Sequence, residues 1–107
     1  MCLDNLFFDM KHLFTIVCEF RGGAYTKQLR AKSQKEAFGL WAALFKADGF
    51  LSPIEVVEFG EEIKNSMEED NMVPLESLQN VWYEGFSIGD DLLEVLIINT
   101  NEAKVNA

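Results

Sequence analysis

The sequence predicts an α+β fold, with a four-stranded, mainly antiparallel sheet in the order β-β-α-α-β-β and a helical hairpin packed on one face. An alternating apolar pattern leads into paired glycines over residues 13–31, two helix-start signals follow over residues 33–69, and strand-like segments occupy residues 78–100. Strands grouped on either side of a helical pair favour this architecture. The chain has 107 residues, of which 49% are hydrophobic, so we predict a single domain with residues 101–107 as a flexible tail.

The first predicted element is a β-hairpin. Its first strand alternates apolar and polar residues, and the apolar face is formed by Phe14, Ile16, Cys18 and Phe20. Gly22 and Gly23 can supply the positive backbone angles that a two-residue turn requires. This turn predicts that Phe20 lies opposite Tyr25 and that Lys27 is the one misfit on an apolar face.

Two helices are predicted to follow, each begun by a capping box. Ser33 with Glu36 marks the first start, and Ser52 with Glu55 marks the second, while Asp48-Gly49 ends the first helix. The first helix is uncharged over residues 37–45, which predicts a core helix between the sheet and a neighbour. The alternative is that this helix also supplies a dimer interface.

The second helix is predicted to be amphipathic with a strongly acidic outer side. Its core side is formed by Val56, Phe59, Gly60, Ile63 and Met67. The opposite side carries a stripe of carboxylates, namely Glu55, Glu58, Glu62 and Glu69. Like charges at this spacing disfavour the helix, so the stripe serves either binding or simple solubility.

The last part of the chain predicts a second pair of strands. Residues 71–76 read as a connection, residues 81–87 as a strand rich in aromatic and β-branched residues, and Gly89-Asp90-Asp91 as a turn. Residues 92–100 are apolar on both faces apart from Glu94, which predicts the central strand of the sheet.

Charge is divided unevenly along the chain. Residues 21–46 contain six basic residues and one acid, whereas residues 48–94 contain thirteen acids and one base. An acidic field of this kind repels nucleic acid and anionic membranes and attracts basic protein surfaces. We therefore predict a protein-binding role rather than an enzyme. Without a signal-peptide pattern or a membrane-spanning run, the predicted location is the cytoplasm.

Few residues carry recognisable chemistry. His12 is the single histidine and has no nucleophile tied to it by a motif, and Cys18 lies in an apolar strand pattern typical of an inert thiol. A disulfide between Cys18 and Cys2 stays open. Glu84 with the Asp90-Asp91 turn could hold a cation weakly, although a polar turn is the favoured interpretation. The spacing of potential ligands predicts no metal site, and we predict no cofactor.

One series of residues resembles the small bacterial immunity proteins encoded beside polymorphic or contact-dependent growth inhibition toxins. The series is Phe14-Thr15-Ile16 through Glu19-Phe20, Gly22-Gly23-x-Tyr25-x-x-Gln28-x-x-Ala31, Ser33-x-x-Glu36-Ala37 and Trp41. The resemblance covers the first half of the chain. It implies a small acidic cytoplasmic protein that binds and neutralises a cognate toxin domain, commonly a basic nuclease.

The predicted partner-binding surface combines acids with one aromatic anchor. It consists of Glu55, Glu58, Glu62 and Glu69 on the second helix, Asp90 and Asp91 at the hairpin tip, and Tyr83 or Trp82 as the anchor. The alternative from another class is a homodimeric module, joined through the helix around Trp41 or an exposed sheet edge, that shelters a small ligand or binds another protein.

Overall fold

The computed structural model describes residues 11–69, 72–75 and 80–100. The elements, in chain order, are β1 (His12–Phe20), β2 (Gly23–Ala31), α1 (Gln34–Ala47), α2 (Pro53–Glu69), β3 (Val73–Pro74), β4 (Val81–Ile88) and β5 (Asp91–Asn99). The strands form one antiparallel sheet in the order β2-β1-β5-β4-β3. The predicted α+β class and the central position of β5 are confirmed, and the predicted tail lies outside the described residues.

The predicted number of four strands was wrong, because the sheet has five strands among the described residues. The additional strand is β3, in the segment predicted to be a connection, where Val73 pairs with Tyr83 and Pro74 pairs with Trp82. A strand of two residues is too short to show an alternating pattern in the sequence, and a proline is evidence against predicting a strand. Proline is tolerated in a sheet only where its missing N–H is not needed, and β3 lies at the edge.

The turn of the first hairpin lies one residue earlier than predicted. Arg21 and Gly22 are its central residues, with φ angles of 52° and 80°, as a two-residue hairpin turn of the primed type requires. The register therefore shifts by two positions, so Phe20 pairs with Gly23 rather than with Tyr25. Because the shift is even, every side chain stays on its predicted face.

Both helices begin at the predicted caps. The Ser33 hydroxyl accepts from the Glu36 amide at 3.1 Å, and the Ser52 hydroxyl accepts from the Glu55 amide at 3.4 Å. Gly49, with a φ angle of 85°, follows α1 in the left-handed conformation. These side chains satisfy amides that lack partners in the first turn, which fixes where each helix starts.

The two helices cover one face of the sheet and enclose the hydrophobic core. Phe59 of α2 is fully buried against Trp41 and Phe45 of α1 and Phe86 of β4. The other predicted core residues of α2 that pack against this core are Val56, Ile63 and Met67. Within the described residues, no helix is long and apolar enough to cross a membrane.

Lys27 lies on this covered face, as the sequence predicted, and its position at the edge explains why it is tolerated. β2 is an outer strand, so the lysine amine extends past α1 and forms an ion pair with Asp48 at 3.4 Å. The aliphatic stem covers apolar surface while the amine stays in contact with solvent.

The opposite side of the sheet, which we call the open face, is covered by no helix of the described chain. One row of directly paired residues crosses the five described strands on it, namely Thr26, Val17, Leu96, Tyr83 and Val73. The next row pairs Glu19 of β1 with Glu94 of β5, which in turn lies opposite Gly85 of β4.

Candidate functional site

The sequence predicted that the carboxylates of α2 lie on its outermost side. In the structure, only some of them do. The most exposed side carries Ile54 and Val57, which are 77% and 62% exposed, together with Glu61 and Glu68. Glu55, Glu58 and Glu62 are only partly exposed and lie on the flank that faces the strand turns and β4. Glu69, in the last turn of the helix, is exposed.

Arg21 joins three elements at one end of the molecule. From the β1–β2 turn, its Nε donates a hydrogen bond to Asp91 Oδ2 at 2.6 Å, and its two terminal nitrogens donate to the Glu55 carboxylate. The hydrogen bonds that the Glu55 carboxylate accepts from Arg21 and from the Ser52 amide lower its pKa to about 2. Two of the predicted binding residues therefore already hold an internal cation.

Glu58 has a similar internal role. Both of its carboxylate oxygens accept from the Gly89 amide, at 3.1 and 3.2 Å, which holds the β4–β5 turn against α2. Asp90, the next residue of that turn, is exposed. The structure thus brings Glu55, Glu58 and the Asp90-Asp91 turn together, as predicted, and uses part of the set for its own folding.

Glu84 is a buried acid that the sequence had placed wrongly. It lies beneath α2, is 7% exposed and pairs with Val95, while Asp91 pairs with Ile88, so the weak cation site with Asp90-Asp91 does not form. Within the described residues, neither Glu84 Oε1 nor the nearby Ser66 hydroxyl has a hydrogen-bond partner.

Burial raises the pKa of Glu84. The negative charge of Glu62 raises it further. Among the described residues, no three histidine, cysteine, aspartate or glutamate side chains lie close enough together to hold a metal ion.

The two aromatic candidates point in opposite directions. Trp82 lies on the covered face, where it packs against the core and stays partly exposed. Tyr83 lies on the open face, away from the α2 flank, and its hydroxyl donates to Glu94 Oε2 at 2.8 Å. That hydrogen bond is the largest of the effects that raise the pKa of Tyr83.

The Tyr83 ring reaches Glu94 because Gly85 has no side chain. A Cβ atom at Gly85 would overlap the Tyr83 hydroxyl, and Gly85 is the residue directly opposite Glu94. Beside this contact is a cavity of about 200 Å³, lined by Val17, Glu19, Tyr83, Glu94 and Leu96. Sequence reasoning missed this site, although Glu94 interrupts an otherwise apolar strand.

Two further candidates, Cys18 and His12, both lie in β1. Cys18 is fully buried, and burial raises the pKa of its thiol to about 12, so the thiol stays protonated at physiological pH. Its potential disulfide partner, Cys2, lies outside the described residues. His12 stands at the start of β1 with its ring edge toward Phe14, and its buried Nδ1 has no hydrogen-bond partner within the described chain.

Comparison with known proteins gives no match to this chain, either among protein-family models, among curated proteins or among solved structures.

Proposed function

We propose that this protein is an immunity protein, which binds and neutralises a cognate bacterial toxin domain through an acidic surface. The observation that carries the proposal is the density of acids on α2, with six glutamates and one lysine, continued by Asp90 and Asp91 at the adjacent turn. The expected toxin is a basic nuclease, the expected compartment is the bacterial cytoplasm, and the protein itself is not an enzyme.

The charge that remains free for binding supports this proposal. Arg21 and the Gly89 amide engage Glu55, Glu58 and Asp91. Exposed acids remain on α2 and at the adjacent turn, namely Glu61, Glu68 and Asp90. A nuclease presents a basic cleft to phosphates, and a carboxylate-rich surface can occupy the same field with fast, salt-sensitive association.

The first test is growth of a host that expresses the open reading frame adjacent to this gene, with and without this protein. Killing by the neighbour and rescue by this protein are the expected results. A neighbour that is harmless, or that kills in the presence of this protein, would contradict the proposal.

The second test measures the association rate of the purified pair as a function of salt. We expect the rate to fall at least tenfold between low and physiological ionic strength, because the steering is electrostatic. The Glu61→Gln/Glu68→Gln variant should reduce the rate at low salt. A rate that salt does not change would exclude an acid-steered complex.

A homodimeric module is the second candidate, and one observation favours it. Leu40 and Leu44 of α1 are each 46% exposed, one helical turn apart on the same side. A dimer through this side should withstand salt and should be lost in the Leu40→Lys/Leu44→Lys variant. Sedimentation of the protein alone as a monomer at high concentration would exclude it.

A further inference from the structure

The open face contains an apolar patch over β1, β5, β4 and β3, where the solvent-facing side of an antiparallel sheet is normally polar, while its β2 positions are mostly polar. Val17, Leu96 and Tyr83 are partly exposed in the row across the sheet, and Val73 at its end is 53% exposed. Leu92 adds a side chain that is 56% exposed near the β4–β5 turn. No helix or strand among residues 11–69, 72–75 and 80–100 covers these side chains, which indicates a surface shaped for contact.

Two carboxylates stand opposite each other on the open face, in the row next to the apolar residues and near the β1–β2 turn. Glu19 and Glu94 are direct partners on adjacent strands, where like charges repel and lower stability. The Tyr83 hydroxyl fixes the Glu94 carboxylate at 2.8 Å, and the cavity of about 200 Å³ opens between this group and Glu19.

We propose that the open face is the docking surface for a basic partner protein, and that an arginine side chain of the partner enters the cavity between Glu19 and Glu94. The apolar row contributes the contact area, and the two carboxylates contribute the specificity for a cation. This inference rests on the proposed function in taking the partner to be a basic protein, and it assigns docking to the open face and long-range attraction to the acids of α2.

Charge complementarity favours a basic partner over a second copy of this chain. A symmetric dimer across the open face would bring two Glu19–Glu94 pairs together, because a two-fold axis places the same patch on both sides. Four carboxylates would then be desolvated, and neither of the two rows of paired residues contains a basic side chain to neutralise them. A basic partner instead relieves the repulsion that the free protein carries.

The surroundings favour arginine over lysine. A guanidinium group is planar, binds carboxylates with paired hydrogen bonds and stacks on aromatic rings. Both carboxylates and the Tyr83 ring line the same cavity. A lysine ammonium would satisfy the charge but would use neither the ring nor the paired geometry.

The first experiment does not depend on any toxin. N-acetylarginine amide and N-acetyllysine amide are titrated into the labelled protein while backbone amide NMR shifts are followed. We expect the shifts to concentrate at Val17, Glu19, Tyr83, Glu94 and Leu96, to be larger for the arginine compound, and to disappear in the Glu19→Gln/Glu94→Gln variant. Shifts spread evenly over all acidic residues, or equal for both compounds, would overturn the proposal.

The second experiment uses the toxin, if the growth test identifies one. The Glu19→Gln/Glu94→Gln variant should raise the Kd at least tenfold while its free energy of unfolding stays equal or increases, since the repelling pair is gone. The control, Glu36→Gln/Asp48→Asn, removes the same charge from exposed positions outside both proposed surfaces and should raise the Kd less than threefold. Equal effects of the two variants would assign the binding to long-range charge and overturn the open-face site.

Two other occupants are separate outcomes, and each overturns the proposal. A concentration-dependent dimer whose cross-links map to Val17 and Leu96 would identify a second copy as the occupant. If dye binding to the open face rises sharply when residues 1–10 are removed, residues 1–10 are the occupant. A harmless neighbouring gene would remove the proposed function, while the arginine titration would still decide this site.

Discussion

The two faces of the sheet both carry apolar residues but differ in whether those residues are buried. On the covered face, Phe14, Ile16 and Val95 are at most 1% exposed beneath the helices. On the open face, Val17 and Leu96 occupy the alternate positions of the same strands and stay partly exposed. The same type of residue therefore serves folding on one face and is left available for contact on the other.

The glutamates show the same contrast. Glu84 of β4 pairs with Val95 of β5, so Glu84 and the adjacent residue Glu94 lie on opposite faces of the sheet. Glu84 is buried with one carboxylate oxygen that lacks a hydrogen-bond partner in the described chain, whereas Glu94 receives the Tyr83 hydroxyl beside a cavity. An acid costs stability on the covered face, whereas on the open face it lines a cavity that solvent can reach.

The sharpest test of this comparison is a pair of truncations. Phe59→Ala should lower the free energy of unfolding by about 3–5 kcal/mol, because it leaves a cavity among packed aromatic rings. Leu96→Ala on the open face should lower it by about 1 kcal/mol or less, since that side chain is already partly hydrated. Urea denaturation measures both, and equal losses would refute the division between the faces.

Glu84→Gln should stabilise the protein by about 1 kcal/mol at pH 7, because it removes a carboxylate that burial desolvates. The pKa of Glu84 is raised in the folded state above 4.5, the ordinary pKa of this group. The free energy of unfolding should therefore fall as the pH rises above 4.5. The variant should therefore lose less stability than the wild type as the pH rises from 4.5. The open-face control, Glu94→Gln, should not reproduce this effect, and identical pH profiles for Glu84→Gln and the wild type would contradict the assignment.

Arg21→Ala should change the acid side of the stability profile. The lowered pKa of Glu55 contributes stability that is fully present above pH 4.5 and is lost as the pH falls toward 2. Without Arg21, much of this contribution should disappear, and unfolding should depend less on pH between 5 and 3. Lys32→Ala removes the same charge from another exposed site and should leave the slope unchanged.

The smallest expected effect is at Lys27. Its ion pair with Asp48 spans 3.4 Å between side chains that are each 36% exposed, so Lys27→Met should change the free energy of unfolding by less than about 0.5 kcal/mol. A loss above 2 kcal/mol would show that the edge of the covered face is as tightly constrained as its centre.

Local signals in the sequence were sufficient for most of the elements but not for the site. Both capping boxes predicted helix starts that the structure confirms, since each depends on residues three apart. The Gly22-Gly23 turn was misplaced because Arg21, rather than Gly23, takes the left-handed conformation. Its bonds to Asp91 and Glu55, 70 and 34 residues away, help hold it there and cannot be seen in the local pattern.

The sequence by itself determined which residues alternate, where the helices begin and how charge divides along the chain, because these properties depend on near neighbours. Only the tertiary structure decided that Glu19 faces Glu94, that Glu84 is buried and that Tyr83 and Trp82 lie on opposite faces. Pairing between distant strands sets these positions, and the whole core selects that register by burying one complete face of the sheet.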